Sequence, residues 1–258
     1  MSFIEQARDG DVVTLTMNRP QTRNALGHAD AEEFVRVLET VALDRSVKAL
    51  ILTGAGSAFS AGGDIKAMAL TIELRQAAAA TRLDYREGIQ RIPAALHALE
   101  IPTIAAVNGP AMGVGCDLAC MCDLRLAAPS ARFAQSFIKV GLISGDGGLW
   151  FLQRVVGPQR AAEMAFTGDP IDAAKALAWG LVAEVVEAER LLPAAQRLAQ
   201  RIAANPAATL RMSKRLMREA PFTSLDTFLQ LSAGLQALAQ DSPEHVAAVR
   251  AFLERGKL

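Results

Sequence analysis

An excess of either charge is missing from this sequence. Lys plus Arg number 27 and Asp plus Glu number 27, so the formal net charge is zero. A nucleic-acid footprint needs a basic balance or stripe, and neither is present; a local basic patch for an anionic ligand stays open. Cysteine is scarce as well. Cys116, Cys120 and Cys122 lie close together with no second cluster elsewhere, which makes no disulfide framework. There is no Asn-x-Ser/Thr acceptor. The opening "MSFIEQARDG" has no basic start followed by an apolar run, so the expectation is no secretory signal and a reducing, cytoplasmic setting. The most apolar stretch, 103–122, is interrupted by Asn108, Pro110, Asp117 and three glycines. It is expected to be buried core rather than a membrane span.

Missing motifs exclude several chemistries. "GAGSAF" (54–59) follows an apolar run but lacks the third glycine of a dinucleotide fingerprint, and the next helical pattern starts only near Asp64, which argues against a Rossmann site. There is no phosphate loop ending in Gly-Lys-Ser/Thr and no Gly-x-Ser-x-Gly elbow. His28, His97 and His245 are far apart and outside any His-Glu-x-x-His pattern, so zinc hydrolysis has no support. Cys116 and Cys120, four apart on one helical face, read as small buried residues. No metal is expected.

What is there is a chain of 258 residues, 51% apolar and 21% charged, enough for one large domain or a core with an appendage. "DVVTLTMN" (11–18) alternates as a strand does. The polar "RPQTRNAL" leads to a helical pattern over 29–44 with Phe34, Leu38 and Val41 on one face. "VKALILTG" (47–54) and "TIAAVNG" (103–109) are short apolar runs ending in glycine, as buried strands do. Residues 73–99 read as helical with a break at Pro93, 113–122 as a helix and 123–128 as a strand. Strand signals stop after 186, and four helical patterns follow. The expectation is α/β layering with an all-helical tail, divided as 1–196 and 197–258.

Two segments share one design: "LILTGAGSAFSAGGDIKAM" and "IAAVNGPAMGVGCDLACMCD". Each is a buried strand, a glycine-bearing turn and a helix. The first N–H groups of a helix lack intrahelical partners and favour negative charge. Two of them aimed at one point would form an oxyanion hole, which a thioester carbonyl becoming an enolate requires. Glycine lets a ligand approach the backbone closely; the plainer alternative is that the glycines only permit tight turns.

The residues themselves then point to a family. "AFSAGGDIKAM" (58–68) and "AAVNGPAMGVGCDLACMCDLRLA" (105–127) resemble the two signature segments of the crotonase, or enoyl-CoA hydratase/isomerase, family. "MNRPQTRNAL" (17–26), "TGDPIDAAKALAWGLVAEVV" (167–186) and the closing "AFLERGKL" are similar to its other segments, in the same order. The resemblance implies a spiral of repeated ββα units followed by helices that mediate a homotrimer or a hexamer of paired trimers. It implies an acyl-CoA thioester substrate, with coenzyme A arriving as part of that substrate and no separate cofactor. It puts the two oxyanion-hole N–H groups on Gly63 and Val114. It makes Arg23, Ala25, Ala61, Asp64 and Ile65 neighbours of the nucleotide or pantetheine, with Arg23 able to pair with a phosphate or to be a solvated loop arginine.

Hydratases of this family flank the reacting water with two glutamates. The first matches Asp117, one methylene shorter, and the second matches Phe137. Phenylalanine transfers no proton, so straightforward hydration is in doubt. Asp117 follows Val114 by three residues, which on a helix share a face, so its carboxylate is expected beside the oxyanion donor as a general acid/base. Asp146, in "GLISGDGGLW", is a second candidate acid or an N-cap for the next helix. Asp64 reads as a cap, and Asp123 and Arg125 as fold-stabilising. Phe133, Phe137, Trp150 and Phe151 are candidates for a pocket wall or for core. Enolate chemistry of the isomerase kind is favoured over hydration. A CoA-thioester hydrolase, a decarboxylase and a non-catalytic acyl-CoA-binding paralogue remain alternatives.

Overall fold

A computed structural model describes residues 2–255; Gly256, Lys257 and Leu258 of the last family-like segment lie outside the described residues. In chain order the elements are β1 (Ile4–Asp9), β2 (Val12–Met17), α1 (His28–Leu43), β3 (Ala49–Gly54), α2 (Ile65–Glu73), α3 (Ala78–Glu87), α4 (Arg91–Ala98), β4 (Thr103–Val107), β5 (Ala111–Met112), α5 (Val114–Met121), β6 (Leu124–Ala127), β7 (Arg132–Ala134), α6 (Gly148–Val156), α7 (Pro158–Thr167), β8 (Ile171–Asp172), α8 (Ala173–Ala178), β9 (Glu184–Val185), α9 (Ala188–Ala203), α10 (Ala207–Glu219), α11 (Leu225–Gln240) and α12 (Pro243–Arg255).

The main sheet runs β1-β2-β3-β4-β6-β9, parallel except for the antiparallel edge pair β1–β2. Its middle strands β3 and β4 are buried at every position because both faces are covered. In β3, Leu50 and Leu52 enter the larger core with α1 and α4, while Ala49 and Ile51 face a second core against α9. β4 repeats this division, with Ala105 and Val107 on one side and Ile104 and Ala106 on the other. A second column of pairing lies beside the main sheet. It consists of single bridges Leu26–Gly63 and Ser60–Ala111 and the short sheet β5-β7-β8. Each turn of the chain thus contributes a long strand to one column, a short one to the other and then a helix, which is the ββα spiral.

Expectation and structure differ in three places. The helical stretch 73–99 breaks at Gly88, not at Pro93. Pro93 sits in the first turn of α4, where a missing N–H costs little. β1 was not anticipated: only Ile4 of its six residues is buried, so it carries no alternating pattern. The boundary at 196 falls inside α9, whose Ala199 and Ala203 still belong to the sheet's second core. The sheet-bearing unit therefore runs through Ala203, because those small side chains let the helix lie close on the strands. Among the described residues no helix is long and apolar enough to cross a membrane.

Candidate active site

Both glycine turns end beside one cavity. Gly62 holds φ +100, and a Cβ there would meet the Met112 carbonyl oxygen at 2.8 Å, so the first turn presses directly on the second. Gly113 holds φ +51 and caps α5. Leu26 N–H donates to the Gly62 carbonyl, and Asp64 N–H donates to the Leu26 carbonyl. In parallel pairing of this kind the intervening Gly63 N–H points to the opposite side. Val114 is the first residue of α5, ahead of the helical ladder. Among the described residues neither N–H has a protein acceptor.

Gly63 and Val114 line a cavity of about 220 Å³ together with Asp146, Phe137, Tyr85 and Met68. Phe137 is half-buried, and its ring lies against Gly113, 3.5 Å from where a Cβ would stand. The methyl of Met68 rests on Gly63. A larger cavity of about 480 Å³ lies between α4, α6 and α10, with Trp150 and Phe151 on its wall. Its one carboxylate, Asp123, is already held by Lys214 at 2.7 Å and by the Thr103 N–H and hydroxyl. It has no pair of free backbone donors. The chemistry therefore points to the smaller cavity. Phe133 is fully buried core.

Asp117 does not stand where helical spacing alone would put it. Asp117 is 0% exposed and Asp146 4%, and only Asp146 reaches the cavity wall. The chain entering α6 lies over Asp117: a Cβ on Gly148 would be 1.7 Å from its carboxyl carbon. Beneath that cover, Gln135 donates its side-chain amide to Asp117 Oδ1. Ser144 Oγ lies 3.1 Å from Asp117 Oδ2 and 2.9 Å from Asp146 Oδ1. Asp146 Oδ1 also accepts the Gly148 N–H at 3.3 Å, so it caps α6 as well as facing the cavity. Its other oxygen, Oδ2, is buried without a partner. Burial raises the Asp117 pKa well above the ordinary carboxylate value. The neighbouring Asp146 carboxylate adds to this, and the Gln135 amide opposes it.

At the cavity rim the chain turns at Arg23 (φ 52) and Asn24 (φ 55). Asn24 is fully buried, and its amide donates to the carbonyls of Ala55, Ala58 and Phe59, tying the first loop to the first glycine segment. The Ala61 N–H donates to the Arg23 carbonyl at 2.8 Å. Asp30, in the first turn of α1, takes both prongs of Arg19 at 2.6 and 2.7 Å and the Gly27 N–H, which fixes the loop's base. Arg23, Ala61 and Ile65 are exposed and Ala25 half-buried on this side. Asp64 caps α2 through the N–H groups of Lys66 and Ala67, as its position suggested. Asp123, and Arg125 through the Leu181 and Cys122 carbonyls, serve the fold.

Five residues of this neighbourhood were not singled out from sequence: Asn24, Tyr85, Gln90, Gln135 and Ser144. Tyr85 and Gln90 come from the α3–α4 region; the Tyr85 ring packs on Gly145, and Gln90 donates to the Gly145 carbonyl at 2.7 Å. Ser144 stands two positions before Asp146, a spacing at which a hydroxyl and a carboxylate meet in a turn. That was the one signal available. All three cysteines are buried and free, and among the described residues no three His, Cys, Asp or Glu side chains gather as a metal cluster.

A ββα spiral whose paired glycine turns open on one cavity places the molecule in the crotonase-fold class. Solved structures agree: the enoyl-CoA hydratase of Mycobacterium smegmatis superposes with TM-score 0.90 at 35% identity, over 98% of this chain and 96% of that one. The enoyl-CoA hydratase of Bacillus anthracis does so with TM-score 0.91 at 31% identity, over 98% and 96%. The sequence profile described as enoyl-CoA hydratase/isomerase matches residues 7–258. The 1,2-epoxyphenylacetyl-CoA isomerase of Escherichia coli K12 is 35% identical over 99% of this chain and 97% of its own. The short-chain-enoyl-CoA hydratase of Clostridium acetobutylicum is 35% identical over 97% and 94%. This chain belongs to the enoyl-CoA hydratase/isomerase family and is an enzyme of it.

Proposed function

We propose that the enzyme moves a proton between carbons of an unsaturated acyl-CoA, shifting a double bond rather than adding water across it. The observation that carries this reading is the lining of the cavity: the N–H groups of Gly63 and Val114 and the Asp146 carboxyl stand with Phe137, where hydratases have their second acid, while the other two carboxylates of the wall are engaged elsewhere, Asp64 in capping α2 and Asp84 with the Gln76 amide. For a 3-enoyl thioester, Asp146 takes the C2 proton. The C–H electron pair passes to the thioester oxygen, which the two N–H groups stabilise as it becomes an enolate. The same carboxyl returns the proton to C4, and the double bond comes to rest between C2 and C3. One acid of suitable position suffices, and no ordered nucleophilic water is needed. Asp117, covered by Gly148, acts from behind Asp146 rather than on the substrate.

Arg23 at the exposed rim faces the phosphates of the CoA moiety, with Ala25, Ala61, Asp64 and Ile65 along its path. Coenzyme A enters as part of the substrate, and the chain's own residues supply all the proton transfer. The test offers purified enzyme a 3-enoyl-CoA and crotonyl-CoA in deuterated buffer. Isomerisation of the first is expected to exceed hydration of the second, and Asp146→Asn to lower isomerase kcat by roughly 10²–10⁴-fold, the range of a lost general base. Crotonyl-CoA hydration as the faster reaction, or an Asp146→Asn enzyme of full rate, overturns the reading. Hydrolysis or decarboxylation of a thioester panel, or binding without turnover, would replace it.

A further inference from the structure

Among the described residues Ser144 is the only hydroxyl touching both Asp117 and Asp146, and it has one proton to share between them. If both carboxyls were ionised, one would face the Ser144 oxygen with no donor and a like charge close by, at buried positions. One carboxyl must therefore carry a proton, and the surroundings are unequal. Asp146 Oδ1 receives the Gly148 N–H at the start of α6, so the positive end of that helix favours its charge. Asp117 lies in the first turn of α5 and also has a helix start nearby. A helix end is worth at most ~2 kcal/mol in a partly buried site, whereas burying a charge costs several. Asp117 has no exposed atom and only the Gln135 amide as a fixed donor.

We propose that Ser144 is a positioning residue that holds the two aspartates in a one-proton state: Asp117 donates its O–H to Ser144 Oγ, Ser144 donates its own to Asp146 Oδ1, and Asp146 Oδ2 is left without a partner, on the residue of the pair that lines the cavity. Every polar atom of the chain Asp117–Ser144–Asp146 is then used except that one oxygen, which is the orphan found in the structure. The Leu149 N–H, 3.3 Å from Ser144 Oγ, holds the hydroxyl in place from α6. The other titratable groups facing the pair are Cys116 and Cys120 on α5 and, across the cavity, His28, Asp64, Asp84 and Tyr85. The state of the pair belongs to the unliganded enzyme. Its role in a double-bond shift rests on the reading given above, with the pair passing from one proton to two as the enolate takes the charge.

The experiment separates the two. Infrared difference spectra of the unliganded enzyme at neutral pH are expected to show one protonated-carboxyl band that Asp117→Asn removes, Ser144→Ala shifts and Ser144→Thr retains. No such band, a band that survives Asp117→Asn, or one indifferent to Ser144→Ala overturns the proposal, whatever reaction the enzyme runs. Where isomerisation is measured, Ser144→Ala should lower kcat about tenfold with KM within about twofold, and Ser144→Thr should restore it to within about threefold. Equal losses in both variants, or a loss that falls on KM rather than kcat, would mark Ser144 as merely structural and overturn the proposal.

Discussion

At the scale of the residue, Asp117 was legible as an acid beside a helix start, and its cover was not. The i, i+3 relation to Val114 is local. The covering atoms belong to Gly148 and Ser144, far along the chain, and only the fold brings them to it. The burial has a thermodynamic sign. The folded Asp117 carboxyl has its pKa raised, so the native chain keeps a proton that the unfolded chain has released above about pH 4. Where the native state binds more protons, stability falls as pH rises, from the unfolded value up through the folded one. Asparagine has no such proton. In thermal melts Asp117→Asn should match the wild type in acid and become progressively the more stable as pH rises to neutrality, with activity reduced. A stability difference that does not change with pH would contradict this account of the buried acid.

At the scale of elements, runs long enough to show a period were readable. β2, β3 and β4 stand where alternation or a short apolar run put them, and α1 buries the Phe34, Leu38 and Val41 face that was expected. The two-residue strands β5, β8 and β9 carry no period at all and exist only through their partners in the spiral. The entry to α6 shows how closely such elements are fitted. Gly147 (φ +86) has open space where a Cβ would go, while a Cβ on Gly148 would lie 2.0 Å from both Asp117 oxygens. Gly147→Ala should therefore cost only the ~1–2 kcal/mol of a left-handed backbone. Gly148→Ala must push α6 or Asp117 aside, and should cost about 3 kcal/mol and most of the activity. Denaturant titration of the two variants checks the order; equal costs would mean that the contact relaxes freely.

At the scale of the whole molecule, the last three helices have no interior of their own. No described residue of α10 or α11 is buried, and Leu225, Leu229, Leu238, Phe252 and Leu253 are exposed along α11 and α12. Scattered apolar side chains on a surface need no explanation, but large ones exposed repeatedly along two successive helices mark an interaction face. The sheet is already covered on both faces, by the larger core and by α9, and α10 is tied to the body through Arg211, Lys214 and Arg218, so α11 and α12 have no sheet face left to cover in their own chain. This favours the trimer or paired trimers that the family resemblance implies. Light scattering of the full chain should give three or six times the 27.4 kDa chain mass. Leu225→Glu with Leu238→Glu, at positions more than half exposed within the chain, should leave the spiral folded while lowering that mass to one chain. A wild-type protein of single-chain mass, or a doubly substituted one that still assembles, would remove these helices from the interface.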